Sequence, residues 1–409
     1  MSDPDAGVVI VGAGHAGGTA AALLRQYGYA EKITLVGDEP LPPYQRPPLS
    51  KAWLKGEADA DSLTLKPVSF YEGAQIDLVL GAKVDGLARS ARTVRIGDGR
   101  TFDYATLILA TGARARTLPI AGAELEGVMS LRSAADAETL KAALGPGKRL
   151  AVIGGGYIGL EAAASARALG AQVVVIEREA HILARVAKEP LCSFLTDYHR
   201  AHGVAFEVAA VVEAFEGRGG HVSGVRLGGG RVVACDCVLV GVGLVRNDEL
   251  ARQAGLECIN GVVVDEHART SDPSVFAIGD VTHRPMPLYD RMFWLESVAN
   301  ALEQARQAAA AIVGRPAPPH EVTWNWSDQY DLKLQFAGLP FDTDDILVRG
   351  DPALAKFAVF HLRGDVIRSL EAVNAPAEFM AGRQLIAQQK TISRARLADL
   401  SVSMKEVAA

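Results

Sequence analysis

The chain has 409 residues, 49% hydrophobic and 22% charged, with a formal net charge of −6. That length can bury roughly two or three domain cores, and the balance is that of an ordinary globular protein. The negative charge argues against non-specific nucleic-acid binding, which draws on a positive surface. The four cysteines, Cys192, Cys235, Cys237 and Cys258, include no Cys-x-x-Cys pair, so neither a metal site nor a disulfide framework is expected. If Cys235-Asp236-Cys237 lies in a strand, its two thiols point to opposite faces. No stretch approaches about 20 uninterrupted apolar residues, so the expectation is a cytoplasmic protein without export signal or membrane span.

Taken in order, Val8-Val9-Ile10-Val11 reads as a buried parallel strand that turns sharply into an Ala-rich helix. In Gly12-Ala13-Gly14-His15-Ala16-Gly17 the glycines stand at the G-x-G-x-x-G positions. The first permits the tight turn, the second lets backbone approach a pyrophosphate, and the third lets helix and strand pack closely. The phosphates would face the N–H groups and positive dipole end of the helix. Ile33 to Val36 is the next strand, and Asp38 just beyond it is placed for a ribose hydroxyl. The run from Glu39 to Lys51 reads as a rigid Pro-rich loop, either a shaped wall of a site or a plain surface loop. Strands with turns are expected from about Leu78 to Val94, and Leu107 to Ala110 forms a buried strand running into Thr111-Gly112. Arg114 to Pro119 then reads as a connection.

The glycine pattern recurs at Leu150-Ala151-Val152-Ile153-Gly154-Gly155-Gly156-Tyr157-Ile158-Gly159, with Glu161 in the following Ala-rich helix. The strand Val173 to Ile176 is closed by Glu177, a carboxylate that can accept both hydroxyls of an unmodified ribose and repels a 2′-phosphate. This copy therefore reads as an NAD(H) site, although the neighbouring Arg178 could partly relax that choice. Two dinucleotide sites in one chain suggest one resident dinucleotide and one that exchanges. Val232 to Leu239 and Gly241-Val242-Gly243 read as strand then turn, and Asn260-Gly261 as a hairpin-like turn. Ser274 to Asp280 is a strand ending in Gly279-Asp280, where open α/β sheets bind ligands. A helix is predicted from Glu296 to Val313, and a domain boundary at Pro316 to Pro319. Trp324, Trp326, Leu332, Leu334 and Phe336 then alternate with polar residues, a hairpin crosses Arg363-Gly364-Asp365, and a helix spans Ala377 to Gln389. This last α+β part has no glycine-rich phosphate loop.

In this order and spacing the motifs resemble the FAD-dependent ferredoxin reductases that serve bacterial haem monooxygenases and ring-hydroxylating dioxygenases. The resemblance rests on both glycine motifs, Arg46-Pro47-Pro48-Leu49-Ser50-Lys51, Ala110-Thr111-Gly112, Glu177, Ile278-Gly279-Asp280, Glu296-Ser297-Val298 and Trp326-Ser327-Asp328-Gln329. It implies the α/β fold of glutathione-reductase-like flavoproteins, with two Rossmann-like dinucleotide-binding domains and a C-terminal α+β domain. Residues 1–113 with 246–319 would bind FAD, 114–245 would bind NAD, and 320–409 would cover the flavin. Gly12, Gly14, His15, Ala16 and Gly17 would hold the FAD pyrophosphate and Asp38 its ribose. Arg46, Lys51, Ala110, Thr111, Gly112, Arg132, Gly279 and Asp280 are implied as further FAD contacts, with Glu296, Ser297, Val298 and Trp326 near the isoalloxazine. Gly154, Gly156, Tyr157, Ile158, Gly159, Glu177, Arg185 and Gly243 would contact NADH.

Lys51 and Glu161 resemble a pair beside the flavin where nicotinamide docks, and the alternative for them is a structural salt bridge. Trp326 is either an element of the electron route or an ordinary core residue. The resemblance implies hydride transfer from NADH to FAD and single-electron transfer to a 2Fe-2S ferredoxin, by a monomer or weak dimer. Disulfide reductases of similar fold carry a reactive dithiol early in the chain, whereas here the first cysteine is Cys192. Rubredoxin reductases and monodehydroascorbate-type reductases share nearly every motif. A redox-regulated flavoprotein of the apoptosis-inducing-factor type, which binds DNA, is disfavoured by the acidic balance. Arg291, Arg306 and Lys333 are the candidate docking charges for an acidic ferredoxin.

Overall fold

The computed structural model describes residues 6–408. They form two compact units, each assembled from separated stretches of chain. The first takes the chain up to Gln45, then Ala60–Arg114 and Val245–Glu321. The second takes Arg46–Asp59, Ala115–Leu244 and the chain from Val322 onward.

In the first unit five parallel strands lie in the order Val275–Ala277, Thr106–Leu109, Val8–Val11, Ile33–Val36, Ile76–Val79. Because side chains alternate along a strand, the all-apolar run Val8–Val11 supplies two cores at once. Val8 and Ile10 point to one face, packed by Ala20 and Leu24 of helix His15–Gln26 and by Ala301, Ala305 and Ala308 of helix Val298–Ile312. Val9 and Val11 point to the other, beneath Val94 and Ile96 of an antiparallel meander, Val84–Ala88, Thr93–Ile96 and Thr101–Asp103. Helix Val298–Ile312 starts two residues later than its periodicity predicts. Ser297 is the N-cap, accepting from the Asn300 N–H at 3.1 Å, which leaves Glu296 ahead of the helix. Asn260 and Gly261 turn with positive φ and bring Cys258 against Val262 in an antiparallel bridge, the hairpin-like turn expected, after which Val262–Val263 pairs parallel to Thr282–His283.

The second unit repeats the plan. Its parallel sheet runs Val204–Glu207, Gln172–Ile176, Arg149–Ile153, Cys237–Val240, Val128–Met129, again with a three-stranded meander on one face. The stretch Val232 to Leu239, predicted as one strand, is two. Val232–Ala234 closes the meander and Cys237–Val240 enters the parallel sheet. Between them the Asp236 carboxylate accepts from the Arg149 backbone N–H at 2.9 Å and from its guanidinium at 2.6 Å, pinning the chain where it changes sheets. Cys235 and Cys237 are therefore not related by strand alternation, and both are buried. The same unit holds an antiparallel five-stranded sheet, Trp324–Gln329, Leu332–Gly338, Val366–Val373, Lys356–Arg363, Asp345–Asp351, with helix Pro376–Gln388 against it. It also holds the end of the Pro-rich run, from Arg46 onward, which is not an irregular loop: Pro47–Ser50 forms a 3-10 turn, and Ala52–Lys55 just after it forms a single helical turn. Among the described residues no helix is long and apolar enough to cross a membrane.

One buried ion pair clamps the first unit. Arg284 donates to both carboxylate oxygens of Glu303 at 3.0 Å and to Asn300 Oδ1 at 2.9 Å, with both charged side chains less than a tenth exposed. Removing one member strands the other charge in a low-dielectric interior. Glu303→Ala is expected to destabilise the protein by about 3 kcal/mol or more, read as a lowered denaturant midpoint. An unchanged midpoint would contradict this account of the clamp.

Candidate functional site

Both glycine turns are built by the same steric demand. At Gly12, φ is +113° and a Cβ would lie 2.2 Å from the Ala110 carbonyl oxygen; at Gly17 it would lie 2.0 Å from the Gly12 oxygen. Their counterparts Gly154 and Gly159 would place a Cβ 2.5 Å from the Gly241 oxygen and 2.4 Å from the Gly154 oxygen. These glycines let strand and helix touch backbone to backbone. Gly14 and Gly156 differ, because nothing lies within 4 Å of a Cβ there. Each is the N-cap of its helix without a side-chain cap, and neither helix has an acidic residue in its first turn. The helix N–H groups are thus left for an anion from outside the chain.

Around the first turn, Gly279 would place a Cβ 3.1 Å from that of Ala16, and its N–H donates to Gln304 Oε1 at 2.9 Å. Burial lowers the His15 pKa although Asp280 opposes it, and its Nδ1 is buried without a partner. Trp294 holds the Asp280 carbonyl at 2.8 Å. Thr111 and Gly112 are tied to Asn247, which accepts from Thr111 Oγ1 at 2.7 Å through its carbonyl and donates its own N–H to Gly112 at 3.0 Å. Gly12, Gly14, His15, Ala16, Gly17 and Ala110 thus gather at one turn with Gly279 and Asp280. Asp38 stands exposed beyond the second strand, Glu296 stands exposed ahead of its helix, and Val298 opens that helix after Ser297. An uncapped helix start, an open Gly14 and a buried imidazole nitrogen without a partner fit a dinucleotide diphosphate such as that of FAD.

Around the second turn, Glu177 is held on both oxygens. Oε2 accepts from the Gly155 N–H at 2.7 Å and Oε1 from the Glu179 N–H at 2.9 Å. Arg178 is engaged elsewhere, its exposed guanidinium pairing with Glu179 at 2.8 Å. Leu183 N–H donates to the Gly155 carbonyl at 3.0 Å, which fastens the loop bearing the exposed Arg185 to the same turn. Gly243 has φ +102° and accepts from the Arg116 N–H at 3.0 Å. Ile158 is exposed at the helix start, whereas Tyr157 turns its ring onto Phe336, centroids 4.7 Å apart, and buries its hydroxyl.

A third cluster, within the second unit, surrounds Arg46–Lys51. Arg46 donates to the Arg132 carbonyl at 2.5 Å. Lys51 Nζ lies 2.7 Å from Glu161 Oε2 and donates to the Pro47 carbonyl at 3.1 Å. Glu161 is buried, and it also accepts from Ser50 Oγ and, at 2.6 Å, from Ser327 Oγ. Trp326 lies one residue before Ser327, half-buried, its ring 5.6 Å from that of Trp324. From the sequence, Ser50, Ser327 and Gln329 stand in motifs but have no assigned role, and Ser165 and His199 carry no signal of one. Ser165 Oγ donates to the Ser50 carbonyl at 2.7 Å, and Gln329 Nε2 donates to Ser327 Oγ at 3.0 Å. The alternation in Trp326-Ser327-Asp328-Gln329, which sends Ser327 and Gln329 to one face, was the available signal.

Residues 6–305 match the family model described as pyridine nucleotide-disulphide oxidoreductase, and residues 324–408 match one described as reductase C-terminal. The chain is 52% identical to a probable ferredoxin reductase CtmF of Castellaniella defragrans, over 98% of each chain. It is 41% identical to the rhodocoxin reductase of Rhodococcus erythropolis, over 97% of this chain and 93% of that one. The crystal structure of a covalent putidaredoxin reductase–putidaredoxin complex superposes with a TM-score of 0.96 at 40% identity, covering 99% of this chain and 98% of that one.

His199 gives the site a pH signature. Burial lowers its pKa from 6.5 to about 4, more than its bond to Gln329 raises it. The unfolded chain then binds the proton more readily, so stability is lost as pH falls from about 6.5 towards 4. His199→Gln is expected to flatten that part of the stability–pH curve in denaturant titrations; an unchanged slope would refute it.

Proposed function

The chain belongs to the pyridine nucleotide-disulphide oxidoreductase family, and on that footing we propose that it is an NADH-dependent ferredoxin reductase supplying a bacterial oxygenase. The observation that carries this reading is a second nucleotide turn with a fixed carboxylate, in a chain whose thiols are all buried or inert. Burial pushes Cys192 and Cys237 up to about 11 and Cys235 to about 12, and raises Cys258 as well. None is a thiolate at neutral pH, so a dithiol relay has no nucleophile. Bound FAD supplies the remaining chemistry, taking two electrons from NADH and passing them on singly.

The residues divide the work. Gly12, Gly14, Gly17 and the helix start behind them hold the FAD diphosphate, with His15, Ala16, Ala110, Thr111, Gly112, Gly279 and Asp280 around it and Asp38 on the ribose. Arg46, Arg132, Glu296, Ser297 and Val298 complete the flavin contacts. Gly154, Gly156, Tyr157, Ile158, Gly159, Arg185 and Gly243 receive NADH. Glu177 takes the ribose hydroxyls; its backbone bonds keep it pointed without using all of its lone pairs. Lys51 and Glu161 orient the carboxamide of the nicotinamide and stabilise charge near it. Trp326 lies on the electron route to the acceptor. The modules that serve these roles are 1–113 with 246–319 for FAD, 114–245 for NADH, and 320–409 as the cover. The protein works in the cytoplasm as a monomer or weak dimer.

The acceptor is a 2Fe-2S ferredoxin, acidic like most of its kind. It docks through Arg291, Arg306 and Lys333, since local patches and not net charge steer encounter. All three basic residues are exposed or part-exposed, and Arg306 pairs with Glu321 at 2.6 Å.

Two measurements test this. Glu177→Ala is expected to weaken NADH binding by about 1–3 kcal/mol, the cost of unpartnered ribose hydroxyls. Equal use of NADPH by the wild type would refute the assignment. Ferredoxin-dependent turnover, assayed with a panel of ferredoxins, should fall steeply with salt, because exposed charges are screened beyond about 8 Å at physiological ionic strength. Flavin reduction by NADH should respond much less. Charge reversal at each of the three basic residues with turnover unaffected would rule out this docking face.

A further inference from the structure

Glu161 stands at the end of a chain of hydrogen bonds that crosses three elements of the second unit. Ser327 Oγ lies 2.6 Å from Glu161 Oε1, Gln329 Nε2 lies 3.0 Å from Ser327 Oγ, and Gln329 Oε1 lies 2.7 Å from His199 Nε2. His199 Nδ1 in turn lies 3.3 Å from the Tyr330 hydroxyl. Ser327, Gln329 and His199 are each 1% exposed or less.

The chemistry of the donors fixes the direction of every bond. A carboxylate paired with the Lys51 ammonium can only accept, so Ser327 spends its one proton on Glu161. Ser327 must then accept from Gln329, which places the amide nitrogen toward the serine and the amide oxygen toward His199. That oxygen only accepts, so the His199 proton sits on Nε2. Nδ1 is left bare and accepts from Tyr330. The depressed pKa of His199 agrees with a neutral ring. All four bonds point at Glu161, and an amide in the middle does not pass protons readily, so the chain orients and polarises without conducting.

We propose that Ser327, Gln329 and His199 form a positioning relay that holds the Glu161 carboxylate in register for the nicotinamide. The proposal rests on the role assigned to Glu161 above. Through it, strand Trp324–Gln329 and helix Glu189–Ala201 act on the reduction half-reaction without touching either nucleotide.

The test has one spectroscopic and one kinetic arm. In the holoenzyme, the 15N imidazole spectrum should show His199 as the neutral Nε2–H tautomer from pH 6 to 8, a range chosen above its pKa of about 4. Gln329→Leu should abolish that preference. An Nδ1–H or charged ring in the wild type overturns the relay. In stopped flow, Ser327→Ala should slow flavin reduction by NADH about fivefold, the value of one hydrogen bond, with FAD retained. Ser327→Thr, which keeps the hydroxyl, should restore the rate. Because the relay acts in series, Ser327→Ala with Gln329→Leu should be no slower than Ser327→Ala alone. If Glu161→Ala slows reduction but Ser327→Ala and Gln329→Leu do not, the relay is wrong and the role of Glu161 stands. If Glu161→Ala has no effect, both fall.

Discussion

A buried carboxylate holds the second unit together. Moving an ion such as Glu161 out of water costs several kcal/mol, repaid only when each oxygen is met with good geometry. Here an ammonium and two hydroxyls meet it, from Lys51, Ser50 and Ser327. These partners come from the Pro-rich turn and from the last antiparallel sheet, so satisfying a single charge brings distant stretches of chain to one helix. The helix allows this because Ala162, Ala163 and Ala164 leave its surroundings room for close packing. Ser165, one turn on, secures the Ser50 carbonyl and prevents the Pro-rich turn from rotating about the ion pair.

The two glycine turns obey a different rule, one of volume and not of charge. In each, two backbones come so close that a methyl group would overlap a carbonyl oxygen, and in each one glycine is left facing open space. The first kind of glycine serves the fold, and the second leaves the helix start uncovered. Both kinds recur in the same order, so one chain carries two turns of the same build with unlike surroundings. Beside the first turn lies a half-buried imidazole, and beside the second a carboxylate fastened by two N–H groups.

What the sequence announced well was the set of features governed by local sterics and short-range period. Val8–Val11 and Arg149–Ile153 are strands buried on both faces, and the apolar runs there are unambiguous. The glycine spacing is equally local, and so is the alternation of Trp324–Gln329. The rest depended on long-range partners. Val232 to Leu239 looks like one strand until Asp236 meets Arg149, far off in sequence. Pro47–Ser50 is held by contacts to helix Tyr157–Ala168, which prolines alone do not reveal. His199 and Gln329 look like ordinary polar residues, and only their burial and mutual distance give them meaning.

The interleaving of the units also dictates the order in which a growing chain can fold. The first parallel sheet begins with Val8–Val11 but ends with Val275–Ala277, whose register partner is Leu107. Its edge therefore stays open until most of the polypeptide has been made, while Val128 to Val240 contains every strand of the second parallel sheet. That sheet can be completed before the first one, whose strand Thr106–Leu109 keeps one edge unpaired until Val275–Ala277 has been made. Sheets closed by distant strands form slowly and expose sticky edges meanwhile. The nascent protein thus carries an unpaired sheet edge, and with it a risk of aggregation, until the strand Val275–Ala277 emerges, and the second parallel sheet is the first that can be completed.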